Sequence, residues 1–297
     1  MFTTLVAVLV ALVVGHVAPA LVARLRRFDW YGQWVRWLDA HGGDGSFWRG
    51  PYGVGLAVVP VLLPVIVLQW LLSGWWLGLP SLLFGVLVLV LCWGPRDLDR
   101  DVEAVLDADD ADERRAAVAN LQAAGGSLHA DRASLVEATM YNALRRWFAA
   151  LFWFLLLGPW GAALYRLLAL VVAGPFAALL PVANAQGARR ALQVMEWPVA
   201  QLMVLSLALV GNFNSVAGAW RLAPGGRWSL SARFLGAAAR ASVSAELSEE
   251  AYDYAEAGIV PVWQRMPELR DVMSLVWRML LLWLVLLALL IIAGWVS

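Results

Sequence analysis

The chain has 297 residues, of which 62% are hydrophobic and 15% charged, with a mean hydropathy of +0.70 and 18 tryptophans. That apolar share exceeds what a water-soluble domain carries and points to lipid as the solvent. Basic and acidic residues balance at 22 each and no long basic run occurs, which argues against a nucleic-acid partner. The single cysteine, Cys92, excludes an internal disulfide and a cysteine-rich metal site.

Met1 to Val22 is apolar, and its charges, Arg24, Arg26 and Arg27, follow rather than precede it. It therefore reads as an uncleaved membrane helix and not as a signal peptide. A hydrocarbon core of roughly 30 Å asks for about 20 apolar residues per helix. Val54 to Leu72 and Trp75 to Trp93 meet that demand and are joined by the uncharged tip Ser73 to Trp76. The linker between the first two spans, residues 23–53, carries Arg24, Arg26, Arg27, Arg36 and Arg49. Short basic loops stay in the cytoplasm, so residues 1–93 are predicted to hold three transmembrane helices with this linker inside.

Residues 94–147 are predicted to be a cytoplasmic helical hairpin. Val102, Val105, Leu106, Ala117, Val118 and Leu121 recur at helical spacing, Gly125-Gly126 marks a stop, and the acidic turn DADDADE caps the second helix. The acidic run reads as a solvated cap in preference to a metal site. Residues 148–184 follow as a broken membrane helix pair, interrupted at Gly158-Pro159 and Gly174-Pro175. With Arg146 before it and Arg265 after it both inside, the chain crosses an even number of times between them, as a hairpin or re-entrant pair. Arg166 lies within this pair, where a central arginine costs about 2.5 to 3.5 kcal/mol on insertion scales. It either sits at the hairpin apex near the outer surface or faces an internal polar cavity.

Residues 185–274 are predicted to form membrane-associated and cytoplasmic helices, with Gly211, Gly218, Gly236 and Ala237 to Ala239 permitting close helix contact. Residues 275–297 form the last span, entered by Arg265, Arg270 and Arg278 and left by the uncharged GWVS. No segment alternates as a strand does. The fold class is all-α: a polytopic membrane bundle of about four to six spans, one pair hairpin-like or re-entrant, with helical cytoplasmic segments.

The usual catalytic signatures are missing. No lysine exists to complete a phosphate loop, no nucleophile elbow occurs, and His16, His41 and His129 are scattered without a zinc-helix partner. No catalytic residue and no metal ligand is predicted. What remains is a set of polar residues at or near membrane depth: Glu137, Asn142, Arg146, Arg166, Glu196, Asn212 and Asn214. Polar groups in lipid must pair or line a cavity, so Asn142 is expected to meet Arg166, and Asn212 to meet Asn214, across helices.

Two blocks carry a family resemblance: YNALRRWFAALFWFLLLGPWGAALYRLL, from Tyr141, and EWPVAQLMVLSLALVGNFNSVAGAW, from Glu196. Together with the GPRDL stretch they resemble the AmpE family, inner-membrane proteins named as modulators of β-lactamase induction and distant relatives of the CobD/CbiB cobalamin-biosynthesis synthases. By this resemblance Asn142 falls on the synthases' asparagine and Arg166 on their arginine. Their acidic positions have diverged: Tyr141 stands for a glutamate, Arg146 lies near a lost aspartate, LLALVV replaces a polar run, and Ala200 and Gln201 occupy the place of an arginine. The resemblance implies a regulatory or sensory protein of the bacterial inner membrane acting in β-lactamase induction and cell-wall stress. The alternatives are a CobD/CbiB-like synthase performing ATP-dependent amide ligation, and a small-molecule transporter. ATP with magnesium enters by this analogy only. The expected partners are the lipid bilayer, a small anionic ligand or protein partner at the seven polar positions, and a second copy in a homo-oligomer; nucleic acid is not among them.

Overall fold

The computed structural model describes residues 2–17, 26, 28–43, 45–72, 78–94, 97–122, 131–223, 230–257 and 266–293. The hairpin tip Ser73 to Trp76, the Gly125-Gly126 stop, His129, Arg265 and the terminal GWVS lie outside them. Every regular element among the described residues is helical. The chain divides into two compact units, residues 1–95, 145–195 and 287–297 forming the first and residues 96–144 and 196–286 the second.

In the first unit α1 (Phe2–Val17) packs along α4 (Leu79–Cys92), and α3 (Val54–Leu72) packs on α4 as well. Between α1 and α3 the basic linker contains α2 (Asp29–His41), which buries Tyr31 and Val35 and docks on α3. Trp34 Nε1 donates to the Ala57 carbonyl at 3.2 Å, and Trp48 Nε1 to Asp39 at 3.1 Å. A linker expected to be a loop is thus a folded strap, because its tryptophans bring apolar bodies with one polar handle each.

The broken pair is α8 (Ala149–Leu157), preceded by a π turn (Leu144–Phe148), and α9 (Pro159–Val172), packed face to face. Nine and fourteen residues rise only about 14 and 21 Å at 1.5 Å per residue, too short to cross a bilayer core. The break is at Gly158, whose φ of +79° is accessible to glycine and strained for other residues, and Pro159 then starts α9 at the position where a missing N–H is harmless. The apex therefore lies eight residues before Arg166, so Arg166 is not the apex residue.

The second unit begins with α5 (Leu98–Asp107) and α6 (Ala111–Gln122), the expected amphipathic hairpin. Asp110 Oδ1 accepts the backbone N–H of Asp112 at 2.8 Å and of Glu113 at 2.7 Å, so the acidic turn is a helix cap. Then come α7 (Arg132–Ala143), α11 (Phe213–Leu222) and α12 (Arg233–Ala257), with α12 packed on both α7 and α11. Gly211 and Gly236 are close-contact positions as expected: a Cβ would meet Ser242 at the first and the Glu137 side chain at the second. Gly218 has open space around it, so its expected role in close packing is not found.

Three described helices are long and apolar enough to cross a membrane: α3, α10 (Val182–Val210) and α13 (Pro267–Ile292). The first and last were expected. A 29-residue helix at 182–210, continuous through Pro198, was expected only as membrane-associated. Leu63, Val67 and Leu71 of α3, Leu202, Leu205 and Leu209 of α10, and Leu281, Val285 and Leu289 of α13 are exposed. Rows of bare aliphatic side chains on helices of spanning length are satisfied by lipid and penalised by water.

Candidate functional site

Arg166 reaches its position through the hairpin apex. Gln69 of α3 holds that apex with both ends of one amide: its Nε2 donates to the Leu157 carbonyl at 3.3 Å and its Oε1 accepts the Trp160 N–H at 3.0 Å. One side chain thereby satisfies the last turn of α8 and the first turn of α9, whose backbone groups have no intrahelical partner. The sequence reading missed Gln69, since a glutamine inside a span gives no sign of which backbone it will meet. Gly161 then lets α9 lie against α8, where a Cβ would meet the Trp153 carbonyl. Below that contact α9 is buried from Tyr165 to Val171, Arg166 included.

The guanidinium of Arg166 stands 5.8 Å from the centre of the Phe28 ring. The residue is 6% exposed, and among the described residues its Nε–H has no hydrogen-bond partner. The ionisable groups that act on it are Cys92, Tyr165 and Arg146. Arg146 arrives from the π turn, and such turns recur at functional positions. Its backbone carbonyl accepts the Gly94 N–H at 3.0 Å, and Gly94 must lack a side chain because a Cβ would run into the stem of Arg146. Arg26 completes the group. Its Nε donates to the Val90 carbonyl at 2.9 Å and its Nη1 to the Gly94 carbonyl, so it caps the C-terminal end of α4, where the helix dipole favours a cation. Cys92 lies among these arginines as a buried free thiol, as expected of a packed cysteine.

The seven predicted positions separate. Arg146 and Arg166 are together in the first unit; Glu137, Asn142, Glu196, Asn212 and Asn214 belong to the second. Asn142 is 1% exposed, and its Nδ2 donates to the Leu121 carbonyl at 2.6 Å and the Ala138 carbonyl at 2.8 Å. Both amide protons are thus used within its own unit, and its Oδ1 has no hydrogen-bond partner among the described residues. Glu137 pairs with Arg240 at 3.0 Å. Glu196 is buried in α10. Asn212 caps α11 by accepting the Ser215 N–H at 3.1 Å and donates to Glu249 at 2.8 Å, whereas Asn214 is exposed, so the expected Asn212–Asn214 contact is replaced by a capping one. The GNF motif is therefore a helix junction. Arg26 is the member of the arginine group that the list of seven missed; its position in a positive-inside loop gave it another reading.

Among the described residues no group of three or more His, Cys, Asp or Glu is placed to hold a metal ion. The donors of the first unit suit the phosphates of a nucleotide; the described residues do not gather the carboxylates that would bind its magnesium.

Among the described residues every regular element is a helix, and three of them are bare aliphatic helices of spanning length, which marks a helical membrane protein. The family model described as CobD/Cbib protein matches residues 4–172, more than half of the chain. The chain belongs to the CobD/CbiB family. No curated protein and no solved structure matches it.

Proposed function

We propose that the protein is a cobalamin-biosynthesis-like protein of the bacterial inner membrane that acts on a small anionic compound at Arg166. The observation that carries this reading is the family match, which runs from residue 4 through the hairpin to residue 172 and so includes Arg26, Arg146 and Arg166. The buried guanidinium with an open Nε–H supports an anionic substrate. Complementation of a strain lacking its cobalamin synthase tests it: growth dependent on cobalamin synthesis is restored by the intact chain and lost with Arg166→Gln. An intact chain that restores nothing counts against the reading.

The soluble segments are assigned to the cytoplasm. Arginine asymmetry supports this, and the Arg240–Glu137 pair at 3.0 Å and the Arg132–Glu268 pair at 2.9 Å hold residues from before and after α10 in one unit. Impermeant labelling of single cysteines introduced at Asp109 and at Asp253 is expected to fail in intact cells at both. Labelling at either would overturn the assignment.

A second reading is a regulatory protein of the AmpE type, acting in β-lactamase induction. Tyr141 in place of a glutamate and the apolar run after Arg166 favour it, since both remove polar groups that the ligation would use. Unchanged β-lactamase induction and β-lactam susceptibility after deletion of the gene would exclude it.

A further inference from the structure

The strap helix α2 carries three faces. Tyr31, Gly32 and Val35 are buried within the first unit. There the Tyr31 ring meets Phe176 edge-on, and a Cβ on Gly32 would run into the same ring. Asp29, Gln33, Arg36 and Ala40 are exposed along a polar side. Between the two run Trp30, Trp34, Trp37 and His41, which recur every three to four residues and so share one face. Trp34 stacks on Trp37 with ring centres 5.2 Å apart, and Trp37 on His41 at 4.5 Å. Trp30 and Trp37 are each 51% exposed.

The depth of this aromatic face follows from α3. Trp34 donates to the Ala57 carbonyl, in the first turn of that helix. The 19 residues of α3 rise about 28 Å, close to the thickness of a hydrocarbon core. Leu56, Val59, Leu63 and Val67 run bare along it, Tyr52 is exposed just before its start, and Trp70 is exposed in its last turn. An aliphatic row with an aromatic ring at each end marks a span whose ends sit at headgroup level, where the ring body stays in the apolar layer and the polar handle stays wet. A helix docked on the first turn of such a span lies at that same level.

We infer that α2 is an interfacial helix: its Trp30–Trp37–His41 face, continued by Phe47 and Tyr52, rests on the headgroup–acyl boundary of the bilayer, and its Asp29–Arg36 side stays in water. Residues 28–52 carry two arginines against three aspartates, so burial of aromatic surface holds the strap there, with no net attraction to anionic headgroups. Through the Trp34 bond the strap then sets the level at which α3 enters the membrane. The placement is independent of any reaction at Arg166.

The test uses the full chain in lipid nanodiscs sorted to hold a single copy, with hydroxyl-radical footprinting read residue by residue in a mass spectrometer. Tyr252 of α12, 69% exposed and flanked in sequence by Glu250 and Asp253, is the water-facing reference. Once each rate is scaled by the intrinsic reactivity of its side chain, Trp30 and Trp37 are expected to oxidise several-fold more slowly than Tyr252, in phosphatidylcholine and in phosphatidylglycerol discs alike. Rates matching that of Tyr252 place the face in water and overturn the inference. So does protection that appears only in discs holding two copies, which assigns the face to a dimer, or only with phosphatidylglycerol, which assigns it to charge.

Discussion

Asn142 and Arg166 are both buried polar side chains in helices, and their partners give them opposite roles. Asn142 ties the end of α6 to α7 through the Leu121 carbonyl, a contact within one unit whose two amide protons are both used. Asn142→Leu is expected to destabilise the protein by about 1 to 3 kcal/mol through the carbonyls it leaves open. A thermal melt in detergent measures it; a midpoint equal to that of the intact protein would show that Asn142 is no strut. The Nε–H of Arg166 has no such partner among the described residues. Both residues were visible in the sequence as polar groups near membrane depth. Their difference was not, because it depends on carbonyls contributed by Leu121 in one case and on the absence of a nearby acceptor in the other.

At the scale of elements, glycines distinguish contacts that a pattern of small residues treats alike. A Cβ on Gly187 of α10 would overlap the carbonyl oxygen of Pro51, at the end of the strap just before α3. Asn184, one turn earlier, donates to the Trp48 carbonyl at 3.0 Å on the same strap. Gly218 of α11 has nothing within reach. Gly187→Ala is therefore expected to lower the thermal midpoint or to prevent folding, while Gly218→Ala is expected to raise stability by up to about 1 kcal/mol, the helix-propensity difference between the two residues. Matched melts of the two variants decide it, and equal effects would mean that the strap does not sit against α10 as described. The acidic turn before α6 was legible in the sequence, since a cap needs only residues within the same turn. The Gln69 clasp at the hairpin apex was not, because its partners are 88 and 91 residues away.

For the molecule as a whole, lipid is the solvent for the bare aliphatic rows of α3, α10 and α13. In α13 the apolar run begins at Leu275, and Asp271 precedes it. Burial, reinforced by Glu246, Glu250 and Glu268 and opposed by Arg278, pushes the Asp271 carboxyl up to about 6. The folded protein therefore holds this proton more tightly than the unfolded chain does. Its contribution to stability grows as pH falls from about 6 toward the ordinary carboxylate value of 3.8 and is lost as pH rises through 6. A higher thermal midpoint at mildly acidic pH than at neutral pH is expected, with Asp271→Asn raising the neutral-pH midpoint and flattening the difference. A variant with the same pH dependence as the intact protein would assign that dependence to other groups.

The sequence by itself determined the solvent and the class of fold. Aliphatic runs of bilayer length admit only helices when no water is present to bond the backbone, and two motif blocks marked the hairpin and the α10–α11 junction. Which polar residues meet was decided by the tertiary structure alone. Asn142 donates to a carbonyl 21 residues away, and Arg26 reaches the end of α4 across more than 60 residues of chain. Such pairings are set by how helices pack, a property no local pattern of residue types records.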